Sequence, residues 1–211
     1  MTKLELTIIQ IVLIMAAITN SWLLSCYSMD FSSKNKLKTE LESICIVYKN
    51  PCRIVYKETN LIQGFTTPKG DIVLTDGLLN LLSYNQVRAV GLHELGHHIL
   101  QHYKKQDKFL KNWDLDTKKL IKFRYSNEVE ADLFATKYAL SSNETNYLPS
   151  ALTTLTNPTA VNTDTVTHPS TATRINTINI YTNYYNQTQP VLTRPYLIPK
   201  LESNYNWKLN N

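Results

Sequence analysis

The chain has 211 residues, of which 43% are hydrophobic and 18% charged, with a formal net charge of +5 and three cysteines. This length suits one globular domain, and the apolar content excludes a disordered chain. Three cysteines are too few for a disulfide-rich scaffold. The charge is mild and its lysines stand beside acidic residues, which indicates a solvated face and no nucleic-acid partner.

An uncharged apolar segment lies near the start of the chain. Residues 6–18 hold thirteen residues without a charge, which suits the core of a signal peptide and is short for a membrane span. The segment ends in Leu23-Leu24-Ser25-Cys26, which resembles a bacterial lipobox. We therefore predict that residues 1–25 are a lipoprotein-type signal peptide and that Cys26 is lipidated. The alternative is that residues 1–25 form an uncleaved N-terminal membrane anchor.

The two alternatives predict different locations. A lipidated Cys26 predicts a periplasm-facing lipoprotein of the bacterial cell envelope, held at the membrane by its lipid, whereas an uncleaved anchor predicts a single-span inner-membrane protein. Three lysines, at 34, 36 and 38, follow the apolar segment and only Lys3 precedes it, an asymmetry that could keep the main domain in the cytosol. Cys45 and Cys52 are either a disulfide, which needs an oxidising compartment, or two buried thiols.

The following elements predict a mainly helical α+β fold with a small sheet. Helices are expected where apolar residues recur at helical spacing, and strands where short runs are β-branched. The predicted helices cover 34–47, 77–84, 86–103 and 126–140, and the strands cover 52–57 and 71–75, with a turn at 68–70. Thr75 or Asp76, and then Ser83 or Asn85, are suited to cap the second and third helices.

The chain changes character after residue 141, where Asn, Thr, Ser and Pro dominate. In residues 176–189, twelve of the fourteen residues are Asn, Thr, Tyr or Gln. We expect this stretch to be a polar surface excursion or partly disordered.

The sequence His93-Glu94-Leu95-Gly96-His97 lies inside a predicted helix. Residues four apart on a helix lie about 40° apart around its axis, so both imidazoles point to one side. They can therefore hold one Zn²⁺. Glu94 is the next residue after His93 on the helix. It can reach a water at the zinc, which makes it the candidate general base.

A catalytic zinc needs a third protein ligand. The metzincin pattern would require Gly at 100 and His at 103, but the chain has Leu100 and Tyr103, which excludes that class. His98 and His102 lie on a different side of the helix, and we interpret them as exposed or half-buried histidines without a metal role.

The remaining candidates for the third ligand are on the predicted helix 126–140. Glu128 and Asp132 share one face of it, so that Glu128 can bind the metal while Asp132 accepts the spare N–H of a ligating histidine. Glu130 is expected to point elsewhere and to be solvated.

Five blocks in this order resemble metallopeptidase family 48, the gluzincins that include HtpX, BepA-like and Oma-type enzymes. The blocks are residues 60–79, 86–102, 126–140, 147–152 and 167–175. The resemblance implies a gluzincin zinc metallopeptidase domain, here residues 26–180 followed by a polar tail at 181–211. It also implies one Zn²⁺ per chain, bound by His93, His97 and Glu128, and an edge strand that borders the zinc cleft. The charged residues 104–122 cannot span a membrane, which points to a compact lipoprotein-like or singly anchored member.

The resemblance further implies hydrolysis of peptide bonds. His168 and Arg174, in the block at 167–175, are the candidate donors to the tetrahedral oxyanion. A strand formed by Asp71, Ile72, Val73, Leu74 and Thr75, if it is an edge strand, could pair with an extended polypeptide substrate. Misfolded envelope proteins are the expected substrates. The alternative is a chaperone-like or substrate-binding pseudo-protease on the same fold.

Overall fold

The computed structural model describes residues 29–112, 117–156 and 161–188, and it is mainly helical with one small sheet. The elements in chain order are α1 (Phe31–Val47), β1 (Arg53–Lys57), β2 (Gly64–Thr66), β3 (Asp71–Thr75), α2 (Asp76–Leu81), α3 (Tyr84–Ile99), α4 (His102–Asn112), α5 (Thr117–Ser141), α6 (Leu148–Leu155) and α7 (Thr171–Thr188). The predicted α+β class is confirmed.

The helices that flank the sheet begin at side chains suited to cap them. Asp30 accepts a hydrogen bond from the backbone N–H of Ser33 at the start of α1, at 2.7 Å. Thr75 caps α2, and Ser83 caps α3 in a reciprocal capping box with Gln86. Each cap satisfies backbone N–H groups that have no partner within the helix. Of the caps that the sequence offered, the chain uses Thr75 and Ser83.

The sheet has the strand order β1-β3-β2, so that β3 lies in its centre. β1 pairs with β3 in parallel, and β2 pairs with β3 antiparallel, with Phe65 opposite Val73. The prediction that residues 71–75 are an edge strand is therefore wrong, because both of its edges are already paired. The edge that remains beside α3 (Tyr84–Ile99) belongs to β2, a strand of only three residues that the sequence pattern did not predict.

Helix α3 runs through the core of the domain. It packs against α5, α6, α1 and β2, and Leu92 and Leu95 on it are almost completely buried. Leu41 of α1, Phe134 of α5 and Ile178 of α7 belong to the same buried cluster. A single core thus holds the helix that carries the His-Glu-x-x-His motif, from both sides.

Helix α7 crosses the predicted boundary between the domain and the tail at residue 180. It continues to Thr188, although its sequence is rich in Asn, Thr and Tyr. Its inner face explains why it folds, because Arg174, Thr177 and Ile178 are all buried against the rest of the domain. The polar stretch at 176–188 is therefore helical and packs through Thr177 and Ile178, while its other residues are exposed or half-buried.

Cys45 and Cys52 are joined by a disulfide, with their Cα atoms 5.8 Å apart. The loop between them carries Asn50 and Pro51, whose backbone carbonyls bind His98 of α3. Cys26, the segment 1–25 and residues 189–211 lie outside the described residues. Within the described part of the chain, no helix combines the length and the apolar character needed to cross a membrane.

Candidate active site

Three side chains converge where α3 meets α5. The nearest ligand atoms of His93, His97 and Glu128 all lie within 4.8 Å of one another. The Nε2 atoms of the two histidines are 3.1 Å apart, and they lie 3.5 Å and 3.4 Å from the two carboxylate oxygens of Glu128. The structure thus brings together the three residues that the sequence predicted as metal ligands.

The close approach of α3 and α5 depends on Gly96. A Cβ atom on this residue would lie 3.0 Å from the Cα of Ala131 and 3.1 Å from the Cβ of Phe134. The absence of a side chain at Gly96 therefore lets the two helices meet at the level of His93, His97 and Glu128.

The donor set fits a divalent cation. The Oε2 atom of Glu128 is buried and has no hydrogen-bond partner among the described residues. The two imidazole Nε2 atoms face each other at 3.1 Å, so that two rings protonated on Nδ1 would direct both Nε2 lone pairs to one point, as two ligands of a single cation do. Two imidazole nitrogens and one carboxylate are the three protein ligands that a catalytic zinc commonly has.

The candidate ligand His93 is held from behind by Asp132. The Nδ1 of His93 lies 2.8 Å from Oδ1 of Asp132, which is 1% exposed. Asp132 is held in turn by Arg174, whose Nε and Nη2 donate to its two oxygens at 2.8 Å and 2.6 Å. Although burial alone would raise the pKa of Asp132, the charge of Arg174 lowers it. The structure thus places Asp132 against a histidine of the cluster, and its role in orienting a metal ligand stays a prediction.

Arg174 serves mainly as the partner of Asp132. It also lines the larger of two cavities at the site, and its Nη2 lies 3.8 Å from Oε2 of Glu128. Because its Nε and Nη2 are engaged by Asp132, its tightest contacts place it behind His93. Its role as a donor to the oxyanion stays a prediction.

The second candidate ligand, His97, contacts His102, which was expected to lie on a different side of the helix. The Nδ1 of His97 lies 2.8 Å from Nδ1 of His102, which is 3% exposed. The Nε2 of His102 lies 3.2 Å from Oε2 of Glu130, which also accepts from Lys105 at 2.9 Å. The expectation that His102 is exposed or half-buried is therefore wrong, and Glu130, which was expected to be solvated, is half-buried against His102 and Lys105.

A break in the helix explains why this contact was missed. On a continuous helix His102 would lie about 140° round the axis from His97. However, α3 ends at Ile99, and Gln101 adopts φ 57°, which turns the chain so that α4 begins at His102. His98, by contrast, binds the backbone carbonyls of Asn50 and Pro51, at 3.1 Å each.

Glu94 is buried beside the cluster and not within it. Thr66 of β2 places its Oγ1 3.0 Å from Oε2 of Glu94 and 2.7 Å from the backbone oxygen of the same residue. Burial raises the pKa of the Glu94 carboxyl above its usual range. Thr66 was not predicted as a site residue, since its contact depends on the fold of β2 against α3.

His168 reaches the cluster from the loop before α7. Its Nε2 lies 3.5 Å from Oε2 of Glu128, and its Nδ1 lies 2.7 Å from the hydroxyl of Thr167. The side chain is half exposed, and burial lowers its pKa, which favours the neutral imidazole. The structure brings His168 to the cleft, and its catalytic role stays a prediction.

Two adjoining cavities open at the site. The smaller, of about 340 Å³, contains His93, Glu94, His97, Glu128 and His168 in its walls. The larger, of about 670 Å³, shares Glu94, His93 and His168 with it. Its other walls are mostly apolar side chains, namely Ile62, Leu78, Val90, Leu148, Leu152 and Leu155. Asp71, Ile72, Val73, Leu74 and Thr75 line neither cavity, and their predicted pairing with substrate is wrong because both edges of their strand are already paired.

Comparison with known proteins supports the assignment of this site. The sequence model of peptidase family M48 matches residues 35–111, a range that includes most of α1, the sheet and the His-Glu-x-x-His helix. No curated protein matches the chain. Glu128, Asp132 and Arg174 lie beyond the matched range, and the geometry described above connects them to it. This match supports membership of peptidase family M48, a family of zinc-dependent peptidases, for the segment that carries His93, Glu94 and His97.

Proposed function

We propose that the protein is a zinc-dependent endopeptidase that hydrolyses peptide bonds in extended or unfolded polypeptides. The observation that carries this proposal is the position of Glu94, whose buried carboxyl lines both cavities next to His93 and His97. A carboxylate that stands beside three ligating side chains, and is not one of them, is suited to act as the base in zinc-assisted hydrolysis.

When bound by His93, His97 and Glu128, Zn²⁺ supplies a Lewis acid that polarises the scissile carbonyl and lowers the pKa of water. Glu94 removes a proton from the attacking water and returns it to the leaving amine. Its raised pKa suits both steps, because a general base that later acts as an acid works best with a pKa near the working pH. Thr66 holds the Glu94 carboxyl towards the cavity.

The loop residue His168 has the geometry of an oxyanion donor. If Nδ1 accepts the hydroxyl proton of Thr167 at 2.7 Å, the neutral ring carries its proton on Nε2. That Nε2–H points into the cleft near Glu128, where a hydrogen bond to a developing negative charge would favour the transition state.

Among the described residues, one edge of β2 pairs with no other strand, and this edge supports a substrate that binds as an added strand. The backbone N–H of Thr75 donates to the backbone oxygen of Gln63 at 3.1 Å, and the backbone N–H of Thr67 donates to the backbone oxygen of Asp71 at 2.8 Å. Because antiparallel pairing alternates, Gly64 and Thr66 direct their backbone N–H and C=O groups to the open edge. An extended peptide paired with β2 would have its backbone held by hydrogen bonds as it passes Glu94. Because only an extended backbone can pair in this way, the site would select unfolded chains over folded ones.

The apolar walls of the larger cavity, next to Glu94, favour an apolar substrate side chain beside the scissile bond.

Backbone N-methylation of a cleaved peptide tests whether the substrate pairs with β2 as an added strand. We expect kcat/KM to fall only when the N-methyl group is at alternate positions of the peptide. Uniform tolerance of N-methyl groups would contradict pairing with β2. Charged residues enriched on both sides of the cleaved bonds would contradict the role of the apolar cavity.

The test of the activity itself compares three states of the full-length protein with unfolded casein as substrate. We expect new peptide termini from the zinc-loaded protein, none after removal of the metal by a chelator, and recovery after one equivalent of Zn²⁺. A pseudo-protease would bind casein without producing termini in the zinc-loaded state. That outcome, or equal cleavage by the metal-free protein, would contradict the proposed activity.

We also propose that the protein is exported and held at the bacterial envelope by a lipid on Cys26, with a single membrane anchor as the alternative. The sequence of residues 6–26 supports this. The disulfide between Cys45 and Cys52 supports it independently, because such bonds persist in oxidising compartments. Misfolded polypeptides of the envelope are then the substrates within reach.

A further inference from the structure

The two ligating histidines are supported differently behind the metal site. His93 contacts a carboxylate directly, since its Nδ1 lies 2.8 Å from Asp132. The Nδ1 of His97 lies 2.8 Å from another imidazole, that of His102, and the carboxylate of Glu130 comes only beyond that ring. Each chain of contacts ends at a cation, which is Arg174 for Asp132 and Lys105 for Glu130.

The positions of the ring protons determine the direction of the hydrogen bonds from His97 through His102 to Glu130. If Nε2 of His97 gives its lone pair to a metal, its Nδ1 carries the ring proton. His97 then donates through Nδ1, and Nδ1 of His102 must accept at 2.8 Å. His102 consequently carries its own proton on Nε2, where Glu130 accepts it at 3.2 Å. One tautomer of each ring satisfies every contact.

The burial of His102 and its contact with Glu130 favour that tautomer of the His102 ring. His102 is 3% exposed, so water cannot easily replace either partner. Glu130 is held by Lys105 at 2.9 Å and lies 3.5 Å from the hydroxyl of Ser126. A carboxylate so held can accept only, and it therefore fixes which nitrogen of His102 is free to accept from His97.

We propose that His102 is a positioning residue for the metal site, which accepts the Nδ1–H of His97 and is itself oriented by Glu130. This proposal rests on the assignment of His97 as a metal ligand within the proposed function. His102 is not one of the three clustered metal-ligand candidates, and it lies in the wall of the smaller cavity behind His97. It fixes the ring orientation and the tautomer of His97, and it increases the electron density on the ligating nitrogen.

The test is the zinc affinity of the full-length protein, measured by competition with a chromophoric chelator in the absence of substrate. We expect His102→Leu, which offers no acceptor, to weaken zinc binding about 10–100-fold. His102→Asn, whose Oδ1 can stand near the position of Nδ1, should recover most of that loss. His98→Gln is the matched control, because His98 is the neighbouring ring but binds only backbone carbonyls, and its zinc affinity should stay unchanged.

A spectroscopic measurement separates positioning from a merely structural role. In the zinc-loaded wild-type protein, the Nδ1–H of His97 should give a solvent-protected imidazole proton in ¹H–¹⁵N spectra, and His102→Leu should remove its protection. A folded His102→Leu with wild-type zinc affinity would overturn the proposal. If that variant does not fold, the wild-type spectrum decides, and a His97 ring protonated on Nε2 or exchanging freely at Nδ1 would overturn it. A protein that binds zinc in this way but cuts nothing would defeat the proposed function and leave this inference standing.

Discussion

Asp132 connects the metal site to the core, because one carboxylate contacts both His93 and Arg174. Its oxygens are almost inaccessible, and the guanidinium of Arg174 lies 2.6–2.8 Å away. Asp132 therefore affects two properties that can be measured separately, namely metal affinity and folding stability.

We predict that Asp132→Asn weakens zinc binding about 10–100-fold, since an amide is a poorer acceptor for the N–H of His93. The variant should also lose about 1–3 kcal/mol of stability, because Arg174 keeps its buried charge but loses the opposite one. Urea denaturation and chelator competition measure the two effects. Asp107→Asn is the control, since Asp107 forms an exposed pair with Lys111, and it should change neither. A wild-type zinc affinity in Asp132→Asn would contradict this role.

At the level of residues, the sequence predicts most of the metal cluster. His93, Glu94 and His97 lie within one turn of one helix, and Glu128 and Asp132 lie four apart on another, so helical spacing alone groups them. Thr66 and His102 could not be found in this way. The first depends on how β2 packs on α3, and the second on a helix break at Gln101, and neither is visible in local periodicity.

At the level of elements, the site depends on the distance between α3 and α5. Two glycines of α3 allow a matched comparison. A Cβ on Gly96 would meet the backbone of Ala131 at 3.0 Å, whereas a Cβ on Gly91 would meet the end of the flexible Leu41 side chain at 2.7 Å. The backbone cannot yield without moving α5, but a leucine side chain can rotate away.

We predict that Gly96→Ala destabilises the protein by about 1–3 kcal/mol and also weakens zinc binding, because it separates the helices that carry His97 and Glu128. Gly91→Ala should cost less, since the gain in helix propensity of about 1 kcal/mol offsets part of the repacking, and it should leave zinc affinity unchanged. Denaturation curves and zinc titrations of both variants check this. Equal zinc affinities in Gly96→Ala and wild type would contradict the dependence on helix spacing.

The elements also show where prediction from sequence stops. Residues 71–75 form the strand that their β-branched pattern predicts, but their place in the sheet is central. Strand order depends on how distant segments pair, which a local pattern does not record. Helix α7 was missed for a related reason, because its polar composition conceals a narrow inner face formed by Arg174 and Ile178.

At the level of the whole molecule, the proposed export predicts a definite mature N-terminus. Mass spectrometry of the protein purified from bacterial membranes should find a chain that begins at Cys26 and carries lipid mass. Cys26→Ala should leave the protein unprocessed by the lipoprotein route. A membrane-bound protein with an intact Met1 would contradict lipidation and favour the single anchor.

The central claim is that one zinc site and one carboxyl base together hydrolyse peptide bonds. Its most direct test is the rate of casein cleavage by zinc-loaded Glu94→Gln, compared with zinc-loaded wild type and with Glu58→Gln, a change at an exposed glutamate of the β1–β2 loop. We predict that Glu94→Gln retains one zinc per chain and loses cleavage by about 10²–10⁴-fold, while Glu58→Gln cleaves at the wild-type rate. Cleavage by zinc-loaded Glu94→Gln at the wild-type rate would contradict the account.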